Sequence, residues 1–167
     1  MKVHINTLRT TIRNFSLEDA DDLQEILGNE ETMKYLEPPY SPGKTAIFLA
    51  SFCVERERAL ACVHKETGKL IGYLLFSPIA AGVYELGWVF HKSFWRQGYA
   101  FEACWALIDF AFSQTDAQKL FAETVDSIKS LGLMGKLGMI PQESPEGMYT
   151  YSISREAYYK NRKEDLR

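Results

Sequence analysis

Val83-Tyr84-Glu85-Leu86-Gly87-Trp88-Val89-Phe90, a short loop, then Trp95-Arg96-Gln97-Gly98-Tyr99-Ala100 running into a long apolar segment: this stretch decides the fold. Val83–Phe90 follows Gly82 and is rich in the β-branched and aromatic residues that suit a strand. From Gly98 to Phe112 the period changes. Ala100, Ala103, Cys104, Leu107, Ile108 and Ala111 fall on one side of a helix, and Phe101, Trp105 and Phe112 widen the apolar face. A face that wide must be covered by a sheet.

The junction between strand and helix is the chemically informative part. Amides in the first turn of a helix have no intrahelical partner, and the helix dipole adds about half a positive charge there. Gly98 lets backbone approach a ligand, Ala100 keeps the first turn uncluttered, and Arg96 can set a formal charge against a phosphate. The glycines are too few for a dinucleotide fingerprint, and the Gly-Lys-Ser/Thr ending of a P-loop is absent. A plain packing turn would use the same glycine, so the junction by itself leaves an anion site and a turn both open.

Working outward, Leu8–Asn14 reads as an amino-terminal strand. Ser16 and Asp19 form a capping box ahead of Leu17, Ala20, Leu23, Ile26 and Leu27 at helical spacing, with Gly28 as the stop. A short acidic turn precedes Pro38-Pro39. Ser41-Pro42 opens a second helix whose Ile47, Ala50, Phe52, Cys53 and Val54 form its apolar stripe. Ala59–His64 and Lys69–Phe76 are strands joined by the hairpin Lys65-Glu66-Thr67-Gly68. After the central helix come a strand at Leu120–Val125, a helix at Ser127–Leu137 ended by Gly138, a strand at Met148–Ser154 and a tail at Lys160–Arg167 whose alternating charge reads as a solvated helix end. A meander followed by helix, strand, helix and strand is α+β with a mixed sheet.

Composition sets the outer limits. The chain has 167 residues, 46% hydrophobic and 25% charged, with a net charge of −3. A chain of this length buries roughly 70% of the surface its unfolded form exposes, so one domain spanning 1–167 is expected, without staples. There is no internal repeat, no basic nucleic-acid footprint, no apolar run of membrane length and no apolar leader, which together read as a cytoplasmic chain without nucleic-acid or membrane partners. Cys53, Cys62 and Cys104 sit in apolar segments and read as buried thiols, and His4, His64 and His91 have no metal-ligand spacing. Residues 18–37 carry eight carboxylates against Lys34 alone, a net of −7. That segment is either a solvated helix face or an acidic rim for a cationic partner.

The segment Trp95–Ala100 resembles the acetyl-coenzyme A loop of the GNAT acetyltransferase superfamily, Gln/Arg-x-x-Gly-x-Gly/Ala, with Trp95, Gly98 and Ala100 at the three marked positions. Tryptophan followed by Gly-Tyr-Ala and Glu102-Ala103 is similar to the branch of ribosomal-protein N-terminal alanine acetyltransferases, as are Leu8-Arg9-Thr10, Ile12-Arg13 and Asp19-Ala20 upstream. Downstream, aligned on Lys136-Leu137-Gly138-Met139, the family's Asn-x-x-Ser/Ala and tyrosine positions fall on Ser127, Ser130 and Met134. Ser127 stands in place of asparagine, Met134 in place of the tyrosine that often protonates the leaving thiolate, and Met139 in place of phenylalanine.

The resemblance implies a mixed, mostly antiparallel sheet splayed at a bulge, with helices on both faces. It implies acetyl-coenzyme A as acyl donor, held by Trp88, Val89 and Phe90 like an added strand, by Arg96, Gln97, Gly98, Tyr99 and Ala100 at the pyrophosphate, and by Ser127 and Ser130. The Val89 N–H is the implied oxyanion donor. The acceptor is then a primary amine: a protein N-terminus, a polyamine or a small amine, attacked directly in a ternary complex, by a monomer or homodimer. A catalytically silent coenzyme A-binding or partner-binding module is the alternative raised by Ser127 and Met134. Glu85, a carboxylate in a central strand, is the candidate base, against an ion pair with a nearby cation. Glu123 is the second candidate. Ser130 is the candidate acid for the thiolate, against a helix-surface serine bonded to a backbone carbonyl. In the family the first helices wall the acceptor cleft, so Glu30, Glu31 and Glu37 are expected to reach a cationic acceptor.

Overall fold

The strands β1 (His4–Asn6), β2 (Thr10–Asn14), β3 (Ala59–His64), β4 (Leu70–Ala80), β5 (Val83–Phe90), β6 (Lys119–Thr124), β7 (Ile140–Gln142) and β8 (Tyr149–Ser154) form one sheet in the order β1-β2-β3-β4-β5-β6-β8-β7. The computed structural model describes residues 1–126 and 128–166. Every neighbouring pair is antiparallel except β5 with β6, which is parallel and reached through a helical crossover. The α+β class and the mixed sheet are as the periodicity indicates.

Helices cover both faces. On one, α4 (Tyr99–Gln114) lays Ala103, Cys104, Leu107, Ile108, Ala111 and Phe112 on strand residues such as Ile12, Leu60, Leu74 and Leu86. The helices α5 (Lys129–Lys136) and α6 (Arg155–Asp165) add Met134, Leu137 and Tyr158 to that cluster. On the other face, α1 (Ala20–Leu27), the short α2 (Glu30–Met33) and α3 (Pro42–Ile47) enclose a second cluster with Ala61, Leu70 and Tyr73. Among the described residues no helix is long and apolar enough to cross a membrane.

Local chemistry sets the boundaries. The Ser16 N–H donates to Asp19 Oδ2 at 2.9 Å, closing the capping box, while the same carboxylate takes two bonds from the Arg13 guanidinium at 2.9 and 2.8 Å. Ser41 Oγ accepts from the Lys44 N–H at 3.2 Å and Pro42 fills the first turn. Beyond α3 the chain overwinds into a π-helical stretch, Phe48–Glu55. That winding changes which residues face inward. Leu49 and Cys53 are buried, whereas Ile47, expected in the stripe, is 71% exposed and Ala50 is exposed. The three cysteines are buried free thiols, and burial pushes Cys53 and Cys62 up to about 12, which leaves them protonated and inert.

Three elements differ from expectation for physical reasons. The amino-terminal strand is two strands, with β1 paired to β2 through only three residue pairs. β7 is a three-residue edge strand, Ile140-Pro141-Gln142, too short and too exposed to leave a period. The charged tail is a helix end as expected, but its helix, α6, begins already at Arg155, whose guanidinium donates to the Ala117 and Thr115 carbonyls, both at 2.8 Å.

Gly72 in β4 lies against the Phe90 ring, and a Cβ there would sit 2.5 Å from Phe90 Cδ1. Both residues are buried, so the ring has nowhere to go. Gly72→Ala is expected to lower the free energy of unfolding by about 1–3 kcal/mol, the usual range for overpacking a core, as read from the urea midpoint at constant slope.

Candidate functional site

The parallel ladder between β5 and β6 runs for three pairs, Val83↔Lys119, Tyr84↔Leu120 and Glu85↔Phe121, and then the strands part. β5 stays zipped to β4 as far as Phe90, with its one register shift between Pro78 and Ala80, and β6 stays zipped to β8 as far as Thr124. Between them opens a cleft of about 1130 Å³.

Alternation along β5 decides which backbone groups face this opening. The His91 N–H donates to the Ile71 C=O at 2.8 Å in the register of the β4–β5 ladder, so His91, Val89 and Gly87 turn their peptide groups toward β4. At the other end the Gly82 C=O accepts from the Gln118 N–H at 2.7 Å, so the even-numbered residues turn theirs toward β6. Past Glu85 there is no β6 to meet them. Trp88 and Phe90 therefore present backbone N–H and C=O to the cleft, and the Phe90 C=O takes the Trp95 indole N–H at 2.8 Å. The Val89 amide, expected to be the oxyanion donor, faces Tyr73 of β4 instead, and the Trp88 amide faces the cleft.

The far wall is the start of α4. A 3₁₀ turn, Lys92–Phe94, leads to Trp95, and the chain reaches the helix through Arg96 at φ 59° and Gly98 at φ 81°. The first helical bond is from the Glu102 N–H to the Gly98 C=O at 3.0 Å, which leaves the amides ahead of it without an intrahelical partner. Arg96, Gly98, Tyr99 and Ala100 line the cleft. Gln97 does not: its side chain donates to the Ser93 C=O at 2.9 Å and its carbonyl accepts from Arg9 at 2.8 Å, so it braces the loop from outside. Tyr99 is likewise pinned, its hydroxyl 3.0 Å from His64 Nε2 and its ring 3.9 Å from the Arg9 guanidinium.

Arg9 carries more than the sequence disclosed. Its Nε meets Glu102 Oε1 at 3.0 Å, while its own N–H and the Thr7 hydroxyl reach Glu102 Oε2 at 3.1 and 2.8 Å. This ties the start of β2 to the first turns of α4, and these bonds hold the Glu102 carboxyl below its ordinary value despite partial burial. From α5 come Ser130, Lys129 and Lys136, with the Lys129 ammonium 4.6 Å over the Trp95 ring. Neither lysine has a motif position, and only the fold brings them to Arg96. Ser127 lies outside the described residues. Ser130 lines the cleft, and its hydroxyl has no hydrogen-bond partner among the described residues. Met134 is fully buried in the core and contributes nothing to the cleft wall.

Glu85 sits at the throat, half-buried, at the last pair before the strands part. Among the described residues it has no ion-pair partner. Burial, and then the like charge of Glu123, raise its carboxyl above the ordinary range. Opposite stand Thr32, Tyr35 and Leu36 from α2 and the segment after it. Glu30, Glu31 and Glu37, expected there, lie outside the cleft wall; Glu31 faces Lys92 at 3.7 Å, and Glu37 faces Lys44 at 3.6 Å and the Tyr40 hydroxyl. Among the described residues Glu30 has no ion-pair partner and does not line the cleft.

Residues 9–140 match the family described as the acetyltransferase (GNAT) domain. The chain is similar to the N-acetyltransferase YnaD of Bacillus subtilis (strain 168), 27% identical over 140 residues, 82% of each chain. Its fold is similar to that of a GNAT-family acetyltransferase from Bacillus anthracis, with a TM-score of 0.84 at 24% identity, covering 92% of this chain and 99% of that one. It is similar too to an aminoglycoside acetyltransferase crystallised with coenzyme A, with a TM-score of 0.76 at 16% identity and coverages of 92% and 99%. The chain belongs to the GNAT acetyltransferase family, an N-acetyltransferase with acetyl-coenzyme A as its donor.

Gly98→Val is expected to weaken coenzyme A binding at least tenfold by calorimetry, because valine is strained at φ 81° and its Cβ would press at 3.4 Å on the Arg9 guanidinium that braces the loop. The strain itself is about 1–2 kcal/mol, visible as a small drop in the thermal midpoint. A folded variant with unchanged affinity would remove the loop from the site.

Proposed function

We propose that this enzyme moves the acetyl group directly from acetyl-coenzyme A to a primary amine bound beside it, with Glu85 as the general base. The observation that supports this most is Glu85 itself: a half-buried carboxylate without a counter-ion among the described residues, at the point where the open edge of β5 begins. An uncompensated charge there is costly unless it is used.

Acetyl-coenzyme A supplies a thioester carbonyl, and the chain has to fix its position, stabilise its oxygen and deprotonate the attacking ammonium. Phe90, turned to the open edge, is placed to bond an amide of the pantetheine arm as an added strand would. The amides at the start of α4, with Arg96, Lys129 and Lys136, suit the phosphates. The Trp88 N–H donates to the thioester oxygen as negative charge grows there. Glu85 takes the ammonium proton, which leaves the nitrogen lone pair free to form the N–C bond while the C–S bond breaks. The second proton, shed by the nitrogen as the amide forms, is relayed through the Ser130 hydroxyl to the departing sulfur, Met134 being out of reach in the core.

The pH dependence carries the signature. A base works only when deprotonated, and the Glu85 carboxyl is raised above its usual 4.5, so kcat/KM should fall as pH drops through that raised value. Glu123→Gln removes the like charge and should move this acid limb to lower pH. Glu85→Gln should lower kcat by about 10²–10⁴ with little change in the KM for acetyl-coenzyme A. A carboxyl raised in the folded state favours the fold at low pH and opposes it once ionised, so Glu85→Gln should also raise the thermal midpoint at pH 7. Full activity in Glu85→Gln would move the base to Glu123.

A further inference from the structure

We infer that the acceptor is a primary amine with a single positive charge on an apolar body, and that Tyr35 and Leu36 select it; this rests on the acetyl-transfer reading above. The cleft passes through the sheet and has two unlike mouths. On the α4 face the wall carries Arg96, Lys129 and Lys136. The other mouth opens on the α1–α2 face, where alternation along the strands sends the side chains of Glu85, Val89 and Glu123. Tyr35 and Leu36 overhang that mouth, 51% and 53% exposed, and Leu75 and Val89 line it from the sheet. Two adjacent large apolar side chains left in water at a cleft entrance gain burial when an apolar body enters.

The charges agree with this. A polyamine needs carboxylates spaced along its length. On the first helices and the segment after them, Glu25 is matched with Lys69 at 2.7 Å and His91 at 3.3 Å, Glu31 with Lys92 and Glu37 with Lys44, while Glu30 has no ion pair among the described residues and does not line the cleft. Inside the cleft Glu85 and Glu123 face the same way at the throat, and one ammonium between them answers both. A second ammonium a few methylenes away would be desolvated against Leu75, Val89, Tyr35 and Leu36, and a longer cation would meet the three cationic side chains beyond.

The test is release of coenzyme A thiol by the full chain on matched amines. Phenethylamine and hexylamine carry one charge on an apolar body, ethanolamine one charge without it, and spermidine and kanamycin several charges. A peptide beginning Leu-Phe against one beginning Ser-Glu separates a free amine from a peptide amino terminus as the source of the same chemistry. The apolar amines, or the Leu-Phe peptide, should exceed ethanolamine and spermidine by roughly tenfold or more in kcat/KM. The double variant Tyr35→Ser, Leu36→Ser should raise the KM of the best apolar acceptor about tenfold and leave the KM for acetyl-coenzyme A within about twofold. Spermidine or kanamycin as best acceptor, or indifference to the double variant, overturns this inference alone. Coenzyme A binding by calorimetry with no thiol released on any amine overturns the acetyl-transfer reading beneath it.

Discussion

A parallel ladder that stops after three pairs is the constraint on which the rest of this protein depends. β5 is committed to β4 along its length and β6 to β8 through six pairs, so each strand follows its own antiparallel partner. With both strands held elsewhere, the shared ladder cannot continue beyond Glu85 and Phe121. The result is an unpaired strand edge inside the sheet. Unpaired backbone in an interior is expensive unless water or a ligand completes it, and an extended chain carrying amides is the natural complement. In the proposed reading the donor site is in this sense a missing piece of sheet.

The second half of the site is the helix start, and it is held from a distance. Arg9 reaches from the first strand pair to Glu102, to the Gln97 carbonyl and over the Tyr99 ring, so the loop is braced on three sides by one side chain. That bracing accounts for the tolerance of a non-glycine residue, Arg96, at φ 59°, a conformation worth avoiding unless the surroundings enforce it. Cations from α5 then meet those of the loop across the cleft, while Glu85 and Glu123 turn to the opposite face of the sheet.

Much of this was legible in the residues. Val83–Phe90 shows its strand by composition and its neighbour by the switch to helical period, and both ends agree with the structure. Gly98 ahead of a long apolar helix marks the left-handed turn, because little else makes that corner. What stayed hidden is what period does not encode. The exposed edge strand β7 has no buried face to alternate. The π-helical Phe48–Glu55 moves Ile47 outward, because five residues rather than four separate bonded groups there. Lys129, Lys136, Tyr35 and Leu36 belong to elements far apart in the chain, and only the three-dimensional arrangement brings them to one cleft. Whether Val89 or Trp88 points its amide at the donor turns on one hydrogen bond, His91 to Ile71, that no sequence pattern reports.

A crystal structure with coenzyme A bound tests the central claim most directly. The account places the pantetheine arm along the open edge of β5, bonded to the backbone of Trp88 and Phe90, with the pyrophosphate on the amides at the start of α4 and the sulfur at the throat beside Glu85. A cofactor seated instead in the outer groove between Arg9 and Trp105, or β5 and β6 found zipped beyond Glu85 with the thiol elsewhere, would contradict it.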